Sequence, residues 1–129
     1  MATGTIESVE MADYIDNHAI KAIASLQRPG KPDLLARIVE LFKSESPKAI
    51  FSVQTGLEAG DLAFVRNGAH TLKSSSAYVG AKVLSELCRD LEAAAREDNL
   101  PACVALGYGL EDLFIASCTE LQQIVRKAA

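Results

Sequence analysis

Histidine is scarce in this 129-residue chain, with two copies in all. One of them, His70, stands in the run Ala69-His70-Thr71-Leu72-Lys73-Ser74-Ser75-Ser76, with Gly80 shortly after. A neutral imidazole keeps one unprotonated ring nitrogen, and its unperturbed pKa is about 6.5. That nitrogen can attack a phosphoryl group in line without a separate base. The product carries added negative charge. Lys73, one helical turn further on, offers a charge-assisted hydrogen bond to the new oxygens. Thr71 and Ser74 add hydroxyls, and Arg66 lies one turn back. Small neighbours leave room for a partner's active site to close over the ring. Spacing alone leaves a second reading open, a surface histidine with no task. The other histidine, His18, has no acid, cysteine or second histidine at metal-ligand spacing and reads as an ordinary surface residue.

Other chemistries lack their residues. A di-metal bundle needs Glu-x-x-His pairs, but position 67 is Asn and position 15 is Ile. There is no glycine-rich phosphate loop and no G-x-S-x-G. Cys88, Cys103 and Cys118 form no CxxC pair, so they read as buried thiols rather than zinc ligands. The net charge is −4 and the pI about 5.1, with no basic stripe, which argues against nucleic acid. No apolar run approaches the ~18 residues of a membrane span, and no charged-then-apolar leader opens the chain. The expectation is a cytoplasmic monomer without membrane contact. Phosphoryl transfer commonly uses Mg²⁺. No acidic cluster near His70 is placed to hold one, so no cofactor is expected here and the metal falls to a partner.

The elements that must position His70 follow from periodicity. Apolar residues make up 49% and aromatics 5%, with no Trp, so the core must be aliphatic and the class all-α. Residues 1–10 read as a disordered lead-in and 11–129 as one domain. A short helix is predicted over 11–27, with Ile15, Ala19, Ile23 and Leu26 as its stripe and Arg28-Pro29-Gly30 as its stop. The next, 32–58, carries Leu35, Ile38, Phe42, Ala49, Val53 and Leu57, widened by Leu34, Leu41 and Ile50. Its stripe keeps phase across Pro47, which predicts one kinked helix rather than two. Gly60 and Asp61 form a stop and a cap. The histidine helix follows, with Leu62, Val65, Ala69, Leu72, Ser76 and Val79 inward. At 100° per residue His70 then points roughly 130° away from that stripe, into solvent. Residues 81–98 form a helix on Leu84, Leu87, Cys88, Leu91 and Ala95, with Arg89, Asp90, Glu92, Arg96 and Glu97 read as a solvated face. A last helix is predicted over 100–127, where Gly107 and Gly109 mark either a bend or a close contact. Short turns between long amphipathic helices give an antiparallel up-down-up-down four-helix bundle, with the short N-terminal helix covering one end.

The motif His70-Thr71-Leu72-Lys73-Ser74-Ser75 with Gly80-Ala81, then Leu84, Leu87-Cys88 and Leu91-Glu92, resembles the signature of histidine-containing phosphotransfer (HPt) domains. The resemblance extends to Asp33-Leu34-Leu35 through Leu41-Phe42 and to Gly60-Asp61-Leu62. It implies a four-helix bundle with a covering helix. It implies that His70 is a phosphoacceptor, taking a phosphoryl group on Nε2 from a receiver-domain aspartate and passing it to another. Lys73 corresponds to the residue supporting that group, and Gly80 to the glycine closing the motif. Ser74 departs from the family's usual glycine. The implied partners are response-regulator receiver domains and a hybrid sensor histidine kinase, with Mg²⁺ on the receiver and no kinase activity in this chain. Glu92 lies on the flank toward the histidine helix. It is read chiefly as a solvated charge, with orientation of His70 as the alternative, and Ala69, Ala77 and Tyr78 as either boundary residues or part of a docking patch. The rival function is an interaction bundle that docks a signalling partner without carrying phosphate.

Overall fold

In the computed structural model the described residues are 14–128. The expected lead-in and residues 11–13 of the first predicted helix lie outside them. The first helix bounded within the described residues, α1 (Asn17–Ala24), is shorter than the predicted one, which is interrupted between helical Tyr14 and Asn17 and ends early. Asp16 caps it by accepting the His18 N–H at 2.9 Å. The backbone before the cap is drawn into a different pairing. The Asp16 N–H donates to the Gly80 carbonyl at 2.6 Å, and Ile15 bridges antiparallel to Ala81. Ile15 is therefore buried from an extended segment, not from a helical stripe. At the other end the helix stops at Ser25, and Leu26 is exposed. Gln27 then organises the turn: its amide donates to the carbonyls of Arg28, Lys31 and Pro32 and accepts the Leu34 N–H.

Helix α2 (Leu34–Ala59) is one helix through Pro47, capped by Asp33, which accepts the Ala36 N–H at 3.1 Å. Its buried face runs Leu35, Val39, Phe42, Ser46, Ala49, Ile50, Val53 and Gly56. Val39, outside the predicted stripe, is buried, whereas Leu41, predicted to widen it, is exposed on the far face. Gly60, at φ +70°, provides the left-handed stop, and Asp61 caps α3 (Leu62–Tyr78) by accepting the Ala63 and Phe64 N–H groups. Val65, Ala69, Leu72 and Ser76 face inward as predicted. Helix α4 (Lys82–Arg96) buries Leu84, Cys88, Leu91 and Ala95. The predicted last helix is two: α5 (Leu100–Gly107), with Asn99 as its cap, and α6 (Leu110–Ala128). The chain breaks at Tyr108-Gly109, where two glycines in three residues weaken the helix. Gly107 also lies close to α2, since a Cβ on it would lie 2.6 Å from Leu57 Cδ1.

Helix α3 packs most extensively against α2 on one side and α4 on the other, and α6 closes the bundle against α2. There the Phe42 and Phe114 rings meet at 5.5 Å and 54°, and Lys43 Nζ donates to Gln122 Oε1 at 3.0 Å. The core is otherwise aliphatic. The stretch Leu100–Ala128 is long and apolar enough by composition to cross a membrane. Cys103, Leu110, Phe114 and Leu121 within it are bundle core, and the break between α5 and α6 interrupts it. Burial pushes the Cys88 thiol up to about 12 and the half-buried Cys118 up to about 11, so both stay protonated near neutrality.

Helix α3 can approach α2 closely because Gly68 faces it. A Cβ there would lie 2.6 Å from the Ala49 carbonyl oxygen and 2.8 Å from Val53 Cγ2. Backbone cannot step aside as a side chain can. Gly68→Ala is expected to cost about 1–3 kcal/mol through overpacking. Gly107→Ala meets only the flexible end of Leu57 and gains helix propensity, so it is expected to be near neutral. Thermal melts of the two variants check the contrast.

Candidate functional site

His70 occupies the middle of α3 between buried Ala69 and Leu72, and its own side chain is 63% exposed. The helix therefore holds the Cα rigidly while the ring stands in solvent, as the helical phase predicts. What lies behind the ring differs from the sequence reading. Glu92 is not on a solvated face: it is 5% exposed, wedged between α4 and the histidine helix. It follows core residue Leu91 and stands one turn after Cys88, at the border of the apolar stripe. The contact between α3 and α4 closes over it.

Burying a carboxylate is expensive unless its oxygens are filled by charged or strong donors. Here both are filled. Lys73 Nζ lies 2.7 Å from Oε1, His70 Nδ1 lies 2.9 Å from Oε2, and Arg96 Nη2 lies 3.1 Å from the same Oε2. The Lys73 hydrogen bond, foremost, holds the Glu92 carboxyl below its ordinary range against the opposing effect of burial, with the His70 hydrogen bond assisting. An ionised carboxylate has no proton to give. The proton in the 2.9 Å contact must therefore sit on His70 Nδ1. In the neutral ring this leaves Nε2 bare, on the side away from Glu92, where the side chain is exposed.

The turn that carries Lys73 is braced from behind. Ser76 donates to the Leu72 and Lys73 carbonyls, and Ser85 of α4 donates to the Lys73 carbonyl at 3.0 Å. These hydroxyls pin backbone rather than face the histidine. Ser74 is exposed beside the site and Arg66 is exposed one turn before it; neither makes an ion pair or side-chain hydrogen bond with another described residue. Gly80 sits apart, at φ +86°. A Cβ there would lie 2.9 Å from the Asp16 carbonyl oxygen, so its task is to let the covering segment dock. Ala69 is core, whereas Ala77 and Tyr78 are exposed. Tyr78 lines an apolar groove of about 550 Å³ between α2 and α3, with Phe42, Ala49, Thr71 and Val79. Thr71 places one edge of that groove next to His70. Arg96, read as a solvated charge, is the residue that sequence reasoning missed altogether. The available signal was its spacing of four residues from Glu92.

Fold and site together define a class: a helical bundle that presents one outward histidine whose inner nitrogen is held by a buried carboxylate. Comparison with known proteins makes the class specific. The family model for the Hpt domain matches residues 37–125. Histidine-containing phosphotransfer protein 5 of Arabidopsis thaliana is 30% identical over 102 residues, covering 77% of this chain and 64% of that protein. The chain thus spans a little under two thirds of that relative's length. Histidine-containing phosphotransfer protein B of Pseudomonas aeruginosa PAO1 is 29% identical, with a TM-score of 0.72 over 88% of this chain and 96% of that one. The maize histidine-containing phosphotransfer protein ZmHP2 has a TM-score of 0.78 over 96% and 91% at 21% identity, a likeness of fold. The chain belongs to the Hpt domain family.

The buried carboxylate gives a stability prediction. Glu92 has a folded pKa below its unfolded value, ordinarily near 4.5. Between the two values the unfolded chain binds more protons, so stability rises with pH there. The contribution is present above about pH 4.5 and lost as pH falls through the folded value. Glu92→Gln is expected to remove that part of the acid dependence while lowering stability at neutral pH, since Lys73 and Arg96 then face a neutral amide. Denaturant melts of both proteins between pH 3 and pH 7 check it, on the order of the range where carboxylates titrate.

Proposed function

We propose that His70 Nε2 is the phosphoacceptor of this domain, charged by the aspartyl phosphate of one receiver domain and discharged onto the aspartate of another. The observation that carries the reading is the 2.9 Å contact between His70 Nδ1 and ionised Glu92, which leaves Nε2 bare and outward. The Nε2 lone pair attacks phosphorus as the bond from phosphorus to the aspartyl oxygen breaks, and the receiver leaves as a carboxylate. The ring keeps its Nδ1 proton and becomes cationic. Glu92 lies against that proton and stabilises the charge as it forms, the logic by which a buried carboxylate supports an imidazolium. Lys73, 32% exposed, stands close enough to offer its ammonium to the phosphoryl oxygens. The return step reverses these changes.

Nothing in this scheme asks the chain to bind nucleotide or metal. Among the described residues, no three His, Cys, Asp or Glu side chains gather where they could hold a metal ion. The Mg²⁺ that screens charge in such a transfer accompanies the receiver. Domains of this family work with receiver domains and kinases, and a hybrid sensor histidine kinase is the upstream partner that suits this one. The groove beside Thr71 is an apolar rest for the receiver. Ser74 keeps the approach open because its side chain is small. The domain acts as a cytoplasmic monomer.

The test is transfer from a receiver domain charged with a small phosphodonor. Label on this chain should survive base and be lost in acid, as a phosphoramidate is. His70→Gln should abolish it. Binding of receivers without any label in the wild type would favour a docking module over a carrier. Lys73→Ala is expected to lower label yield about tenfold, the value of one charge-assisted hydrogen bond, with helical content by circular dichroism unchanged. Unchanged transfer would remove Lys73 from the mechanism.

A further inference from the structure

Lys73 has two claims on it. In the structure its ammonium is on Glu92 Oε1 at 2.7 Å. In the proposed mechanism the same ammonium moves to the phosphoryl group. An ammonium has three donors but one charge, and a dianion competes strongly for it. If Lys73 leaves, Oε1 of a carboxylate that is 5% exposed loses its counter-charge. Breaking a buried pair in this way is costly. The other oxygen is different. Oε2 carries Arg96 at 3.1 Å together with His70 Nδ1, and neither of those contacts involves Lys73.

We infer that Arg96 is a positioning residue: it stays on Glu92 as a standing counter-ion, so that Lys73 can transfer to the phosphoryl group without leaving the buried carboxylate bare. The inference rests on the reading of His70 as phosphoacceptor. Charge counting supports it. Lys73 and Arg96 bring two positive charges to one carboxylate, a surplus of one before transfer. The phosphoryl dianion and the cationic ring together bring one net negative charge, which that surplus neutralises. Without Arg96 the phosphorylated site carries a net negative charge in a partly dry setting. The geometry also selects Arg96 over its neighbour. Arg89 is turned to Asp90 at 3.6 Å, whereas Arg96 stands one turn after Glu92 on the same face of α4. Its side chain is 61% exposed, so the guanidinium reaches Glu92 from solvent and supports no core packing.

The test uses the whole chain and phosphoramidate, a small donor with a phosphorus–nitrogen bond. Phosphorus leaves the donor nitrogen for His70 Nε2, and ammonia departs. At fixed phosphoramidate and ammonia the ratio of phosphorylated to free protein is set by the transfer equilibrium and read by ³¹P NMR. Arg96→Gln is expected to lower that ratio about five- to tenfold, the loss of one charge-assisted contact in the phosphorylated state. Arg96→Lys should restore most of it. ¹³C NMR of the Glu92 carboxyl in the unphosphorylated protein, where acid destroys no label, should show it titrating at higher pH in Lys73→Ala/Arg96→Gln than in Lys73→Ala alone, which a merely structural role would not produce. An unchanged ratio in Arg96→Gln, or a fall that Arg96→Lys does not repair, overturns the inference while leaving His70 as acceptor. A wild type that takes no label on His70 overturns the acceptor reading and this inference with it.

Discussion

A carboxylate buried between two helices sets the terms for this molecule. Glu92 is nearly inaccessible, and an ionised group in that position needs charged partners on the carboxylate. That requirement reaches across the contact between α3 and α4 and selects its partners: Lys73 and His70 from one helix, Arg96 from its own. Exposed ion pairs are typically worth at most about 1 kcal/mol, so a pairing of these side chains in solvent would not hold the ring in one orientation. Burial is what turns a common set of charges into a device. It gives the imidazole one tautomer and leaves the bare nitrogen on the side facing solvent.

The rest of the bundle keeps two helices at the separation this contact needs. Gly68 lets α3 lie against the backbone of α2, while Ala69, Leu72 and Ser76 seat the histidine helix in the core. The covering segment hydrogen-bonds to Gly80 and so holds the end of α3 where it turns toward α4. The Lys73 carbonyl accepts hydroxyls from Ser76 and Ser85, which fixes the turn from which the lysine reaches out. An ordered side chain on a rigid backbone suits a group that must meet partners in turn, because little order has to be created at each encounter.

Much of this was legible in the residues. The apolar stripe of α3 turned His70 outward, Gly60 and Asp61 marked the stop of α2 and the cap of α3, and Pro47 did not split α2. What periodicity could not reach is telling. Glu92 and Arg96 belong to a run of mixed charge that patterns like any solvated face. Only the interhelical approach, a tertiary matter, buries one and attaches the other. Ile15 kept its apolar phase but left the helix, because Asp16 caps α1 and the backbone before it pairs with Ala81. The break at Tyr108-Gly109 had its signal in two glycines, and the contact of Gly107 with Leu57 became visible only once α2 and α5 were packed. Local rules placed the helices, and the site came from the seam between two of them.

The central claim is that Glu92 assigns the two nitrogens of His70, protonated Nδ1 inside and bare Nε2 outside. ¹⁵N NMR of the imidazole, before and after phosphorylation, tests it most directly. The account predicts the Nδ1–H tautomer in the free protein, phosphorus coupled to Nε2 in the charged one, and the Nδ1 proton retained in both. A ring protonated on Nε2, or a phosphoryl group attached to Nδ1, would contradict it.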